Sequence, residues 1–130
     1  MNEITPKAAK RIVHDELPII ASPSGLPSQH IVTEAVGAEA IFVGQQWLEP
    51  GDRVLLHTHP VEEVLTFLFG NGVSTLGDTS GQIGPGVSLF IPPGVVHGFC
   101  NTGDERMHVM IVFEGPRFAE TIICEDQAPR

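Results

Sequence analysis

The chain has no tyrosine, a single tryptophan and two cysteines, and only seven lysines and arginines against sixteen aspartates and glutamates. Without tyrosine no phenolate can take a substrate proton, so any general base must be a histidine, a carboxylate or an activated water. Cys100 and Cys124 stand far apart and make no metal-binding spacing, which leaves reduced thiols as the expected state. No apolar run is long enough for a signal peptide or a membrane span, and Met1 to Leu17 mixes Lys7, Lys10 and Arg11 with acids. A cytoplasmic protein is therefore expected. The net charge of −9 repels nucleic-acid backbones and anionic membrane surfaces, so neither is expected as a partner.

What the chain does have is turn chemistry. Fourteen glycines and eleven prolines separate short β-branched runs, which favours an all-β architecture, and 130 residues suffice for one barrel core. Strands are expected at 30–36, 38–48, 54–59, 63–69, 73–76, 88–91, 96–101 and 107–113, with a possible last edge strand at 121–124. Asn71-Gly72 reads as a hairpin turn and 77–81 as another turn.

Residues 51–101 carry two patterns in succession. The first is Gly51, five residues, His57, one, His59, three, Glu63, six, Gly70; the second is Gly86, five, Pro92, one, Gly94, two, His97, three, Asn101. Alternate side chains of a strand share a face, so His57, His59 and Glu63 have the parity to converge on one side of a hairpin-like unit. Leu65, Phe67 and Phe69 continue that parity and would wall the polar group with apolar side chains. Ile91-Pro92-Pro93-Gly94 reads as a strand end and a tight turn, which would bring His97 back toward the other three. Three neutral imidazoles and one carboxylate suit one divalent transition metal, whether iron, manganese, nickel, copper or zinc. A six-coordinate ion would keep two positions open for water, dioxygen or a chelating substrate. Glu62 has the opposite parity and breaks the spacing, so solvent exposure is expected for it.

Both patterns match the two motifs of the cupin superfamily at every fixed position, and the chain resembles a small single-domain cupin over roughly residues 38–113. The resemblance implies a double-stranded β-helix, a jelly-roll-like barrel with the metal near its axis. It implies His57, His59, Glu63 and His97 as ligands, with Gly51, Gly70, Gly86, Gly94 and Asn101 as structural positions. It also implies an N-terminal arm packed across a homodimer. The expected layout is an arm and first strand over 1–37, the barrel over 38–124 and a tail over 125–130.

Parity nominates further residues around the site. Gln46 is in phase with Phe42 and Leu48; Phe67 and Phe99 share the faces of Glu63 and His97 and should line the pocket. In a regular strand Arg53 shares the face of Leu55 and His57, where its guanidinium fork would bind a substrate carboxylate. Met107, Val109, Ile111 and Phe113 form a uniformly apolar set suited to the core, leaving His108 outward with Glu114. Cys100 has the opposite parity from Phe99 and no accompanying base, which argues against a nucleophilic role.

Cupins with this ligand set include dioxygenases, decarboxylases, isomerases and lyases, so the resemblance implies a metal-dependent enzyme acting on a small chelating molecule. Oxygen-dependent cleavage of a diketone, enediol or catechol-like compound is the leading expectation, because a dry apolar site protects reactive oxygen intermediates. The alternative is a non-catalytic module that binds a sugar or metabolite. Small anionic substrates stay compatible with the acidic chain, since a bound dication reverses the local field.

Overall fold

Runs rich in Val, Ile, Leu and Phe, cut by glycine and proline, form strands here rather than helices. The computed structural model describes residues 6–125, and among them lie eleven strands and two short 3-10 turns. The strands are β1 (Ile20–Ala21), β2 (Pro27–Val32), β3 (Ile41–Leu48), β4 (Arg53–Thr58), β5 (Glu63–Phe69) and β6 (Gly72–Leu76). β7 (Thr79–Ile83), β8 (Ser88–Ile91), β9 (His97–Asn101), β10 (Met107–Glu114) and β11 (Ile122–Ile123) complete the set. One sheet has the order β1-β2-β3-β10-β5-β8 and the other β11-β4-β9-β6-β7, all paired antiparallel. This is the all-β jelly-roll barrel that the motifs imply.

The core lies between the sheets. Strand β10 alternates as its sequence predicts, with Met107, Val109, Ile111 and Phe113 buried and His108 turned to the outer face. Phe42 and Leu48 from β3, Leu65 and Phe67 from β5, and Val54, Ile83 and Phe99 from the second sheet fill the rest. Asn101 is buried and donates from its side-chain amide to the carbonyls of Leu48 and Glu105, which ties the end of β9 to the end of β3 and to the loop before β10.

Several local expectations are corrected by the long-range pairing. The stretch 30–36 is not one strand: β2 ends at Val32, Thr33 caps a 3-10 turn at Glu34–Val36 by accepting from the Ala35 N–H, and Gly37 closes it at φ +97°. Asn71-Gly72 is no hairpin, because β5 and β6 belong to different sheets. The hairpin lies one strand later, where Gly77 (φ +62°) supplies the positive φ of a primed turn between Leu76 and Thr79. Of the turn expected over 77–81, residues 79–81 therefore belong to β7. Gly72 is needed for a different reason: its α-carbon lies against the Cys100 carbonyl, leaving no room for a side chain. Phe69, expected to face inward, is 52% exposed, because the β10–β5 register shifts between His108 and Val109 and the bulge turns the end of β5 over.

Candidate metal centre

Three strands and one turn assemble the cluster. His57 sits on β4, His59 just past its end, Glu63 opens β5 and His97 opens β9. His57 and His97 are direct cross-strand partners. The Pro92-Pro93-Gly94 turn is fastened to the first motif by the Gly94 N–H, which donates to the His59 carbonyl at 2.9 Å. Gly94 adopts φ +80°, a conformation that a side chain would resist. The turn thus returns the chain toward the first motif, as the sequence predicts.

All four side chains are buried, and one nitrogen or oxygen from each falls within 4.8 Å of the others. The ring centroids are 4.1 Å apart for His57 and His97, 4.6 Å for His57 and His59, and 5.3 Å for His59 and His97. Glu63 Oε1 lies 2.7 Å from His97 Nε2 and 3.6 Å from His59 Nε2.

Each imidazole is aimed by its other nitrogen. The Nδ1 atoms of His57, His59 and His97 lie 2.6, 2.9 and 2.8 Å from the carbonyls of Leu55, Glu120 and Val95. A carbonyl only accepts, so each Nδ1 carries the proton and each Nε2 is left to the cluster. Burial, the largest cause, pushes the pKa of His57 and of His59 down to about 4, so both rings are neutral at pH 7 and their Nε2 lone pairs are free. His97 Nδ1–H is committed to Val95, so its Nε2 faces Glu63 Oε1 across 2.7 Å, and a cation between them would satisfy both. The donor set therefore fits one divalent transition ion.

Gly98 and a bulge put His57 on the inner face. Val54 pairs with Phe99, whereas the next pairing is His57 with His97, so β4 has one residue too many. A Cβ on Gly98 would lie 2.7 Å from the Val54 carbonyl, and only glycine allows that approach. The extra residue lets Val54 and His57, three positions apart, both point inward. This corrects the placement expected for Arg53. It pairs with Cys100 on the outer face of the sheet, where its guanidinium donates to Glu125 Oε2 at 3.0 Å instead of facing the cluster.

Phe67 and Phe99 point into the core and meet edge-on at 5.2 Å. Gln46 is buried in phase with Phe42 and Leu48, opposite Val109 and Ser28. Among the described residues two phenylalanine rings flank the His59 imidazole edge-on: Phe113, with centroids 4.8 Å apart, and Phe118, with centroids 6.3 Å apart. The sequence placed Phe113 in the core but offered no signal for Phe118, which follows the last long strand in a segment without periodicity. Nor did it offer one for Glu120, whose carbonyl fixes the His59 tautomer.

Residues 45–113 match the family model for the cupin domain. The chain belongs to the cupin family. Among curated proteins this cupin is similar to protein SchB of Streptomyces halstedii, 28% identical over 102 residues covering 78% of this chain and 74% of that one. It is also 28% identical over 121 residues to auxin-binding protein 1 of Arabidopsis thaliana, across 77% of this chain but only 61% of the plant protein. Its fold resembles that of the polyketide cyclase RemF from Streptomyces resistomycificus, with a TM-score of 0.75 at 19% identity over 92% of this chain and 89% of RemF. An S161A mutant of the Bacillus subtilis oxalate decarboxylase OxdC gives 0.73 at 19% identity over 85% of this cupin and 30% of the decarboxylase. No helix among the described residues is long and apolar enough to cross a membrane.

Proposed function

We propose that this cupin holds one divalent transition metal on His57, His59, Glu63 and His97 and acts on a small organic molecule that offers the metal two oxygens. The observation that carries the reading is the buried convergence of four donor side chains, each imidazole aimed by a backbone carbonyl. When bound, the ion supplies Lewis acidity and a meeting place for substrate with water or dioxygen. The chain supplies the orientation of the rings, the negative charge of Glu63 and an apolar surround in which Phe113 covers one side of His59. The reaction class we favour is dioxygenase-type, oxygen-dependent cleavage of a diketone, enediol or catechol-like compound.

A second reading, non-oxidative turnover or simple binding, is favoured by the likeness in fold to a protein named as a polyketide cyclase and to oxalate decarboxylases, and in sequence to auxin-binding proteins. Both readings share the metal and the chelating ligand. Elemental analysis of protein purified without a chelating tag, combined with oxygen consumption on a panel of diketones and catechols, separates them. Stoichiometric metal with substrate-dependent oxygen uptake supports the dioxygenase reading. Metal without uptake supports the second, and protein that neither contains nor accepts metal overturns both.

We also propose that the protein works as a homodimer through the outer face of its six-stranded sheet, with the arm of residues 1–37 contributing. Val43, Val112, Val64 and Phe90 form one uncharged cross-strand row there, and Phe90 and Ile41 are 56% and 48% exposed. Light scattering at micromolar concentration tests this, and a monomer mass would exclude it.

A further inference from the structure

Segment 115–120 crosses the barrel beside the metal centre and is fixed at its ends. Gly115 N–H donates to the Ala40 carbonyl at 2.8 Å, and the Pro116 carbonyl accepts from Glu34 N–H at 2.9 Å. At the far end the Glu120 carbonyl accepts from His59 Nδ1. Between these anchors, among the described residues, the backbone of Arg117 to Ala119 makes no backbone–backbone hydrogen bond. The middle of the strap is held by side chains: an exposed, forked Arg117–Glu34 ion pair with contacts of 2.9 to 3.1 Å, the Thr121 hydroxyl, which donates to the Ala119 carbonyl at 3.0 Å, and the packing of Phe118 and Ala119.

Phe118 has two different sides. Toward the barrel it meets Phe113 at 5.0 Å, Phe42 at 5.6 Å and the ligand ring of His59 at 6.3 Å. Toward the surface it stacks on His30, with centroids 5.4 Å apart and planes 16° from parallel. There it helps to line a cleft of about 360 Å³ with His30, Thr33, Glu34, Pro116 and Arg117. It is the member of the cleft wall whose ring also flanks a cluster imidazole.

We propose that this cleft is the entrance to the centre and that Phe118 is its gate, passing a small planar molecule with two adjacent oxygens, such as a catecholate or enediolate. The inference rests on the metal-centre reading above. A planar ring that displaces Phe118 inherits its stacking place on His30, so the face that closes the passage also recognises the ligand. The absence of backbone pairing between residues 117 and 119 permits that displacement while the anchors keep Gly115 and Glu120 in place, so His59 is not released.

The test uses the full chain reconstituted with cobalt(II), with 4-nitrocatechol and azide as probes followed by stopped-flow absorbance, and with cobalt content measured for every variant. Phe118→Ala is expected to raise the 4-nitrocatechol association rate about tenfold at unchanged cobalt content, while azide, a three-atom probe that needs far less clearance, changes less than about twofold. Phe118→Trp is expected to slow 4-nitrocatechol alone. Arg117→Ala, an exposed change that spares the core, should speed it by about two- to threefold, and keeps the inference testable if Phe118→Ala does not fold. Unchanged 4-nitrocatechol rates in cobalt-loaded variants, or equal acceleration of both probes, overturn the gate and leave the metal centre standing. A wild-type protein that takes up no cobalt overturns the metal-centre reading and the gate with it.

Discussion

The protein builds two clusters of histidine and amide or carboxylate side chains, one inside the barrel and one on its outer face, and they differ in what their nitrogens face. Inside, His57, His59 and His97 each spend Nδ1 on a backbone carbonyl and turn Nε2 toward Glu63. Outside, beneath the N-terminal arm, Gln45 accepts from His108 Nε2–H at 2.7 Å, donates to Gln29 Oε1 at 2.8 Å and contacts His14 Nδ1 at 3.2 Å. Gln29 in turn donates to the carbonyls of His14 and Leu17, so the cluster pins the arm to the sheet. Both clusters are satisfied, but only the inner one converges on a point and contains a carboxylate. Metal competence thus follows from which atoms are left over, not from how many histidines gather.

The sharpest way to break this contrast is to remove donors from each side. His59→Ala or Glu63→Gln is expected to weaken metal binding at least about a hundredfold, read by elemental analysis after dialysis, because a four-donor site loses a first ligand. His14→Ala and His108→Ala should leave metal content unchanged. The inner variants should keep the barrel, whose core is apolar, and a random-coil circular dichroism spectrum for His59→Ala at pH 7 would contradict the view that the metal serves function rather than folding.

Acid should separate the clusters next. Folded His57 and His59 have pKa values of about 4 against an ordinary 6.5, so above 6.5 neither state is charged and the stability is complete. As pH falls from 6.5 toward 4, the unfolded chain binds protons that the barrel refuses, and metal-free protein loses on the order of 3 kcal/mol for each ring. Urea unfolding of metal-free protein at pH 7 and pH 4.5 measures the loss. Metal release is expected in the same window, since protons compete for the same nitrogens.

Smaller effects refine the outer side. Gln45→Ala should cost about 1–3 kcal/mol in urea unfolding, by leaving the Gln29 and His108 side chains short of a partner, with no change in metal content. Arg53→Ala should alter 4-nitrocatechol affinity less than about twofold, since its ion pair with Glu125 lies on the far side of the sheet and such partly exposed pairs contribute little. A tenfold loss would return Arg53 to the site.

The metal ligands were legible because the two motifs encode both the donors and the turn that unites them. His57, His59 and Glu63 lie within seven residues of one another, and Pro92-Pro93-Gly94 announces the return of His97. Period-two alternation was equally reliable on β10, which is regular through its buried stretch. It failed for Phe69 and Arg53, each beside a bulge whose cause is a partner strand distant in sequence. It failed differently at Asn71-Gly72, where a local turn signal says nothing about which sheet the next strand joins. Phe118 and Glu120 could not be nominated at all, because their roles arise only when the chain returns to β4 some sixty residues after His59 was laid down.

The carboxylate of Glu63 comes from the six-stranded sheet, while His57 and His97 come from the five-stranded one. An ion held by all of them is a cross-link between the two halves of the sandwich. Its most visible mechanical consequence is on the clock rather than on the thermometer: the sheets cannot part until the ion lets go, so the loaded protein should open far more slowly than the empty one.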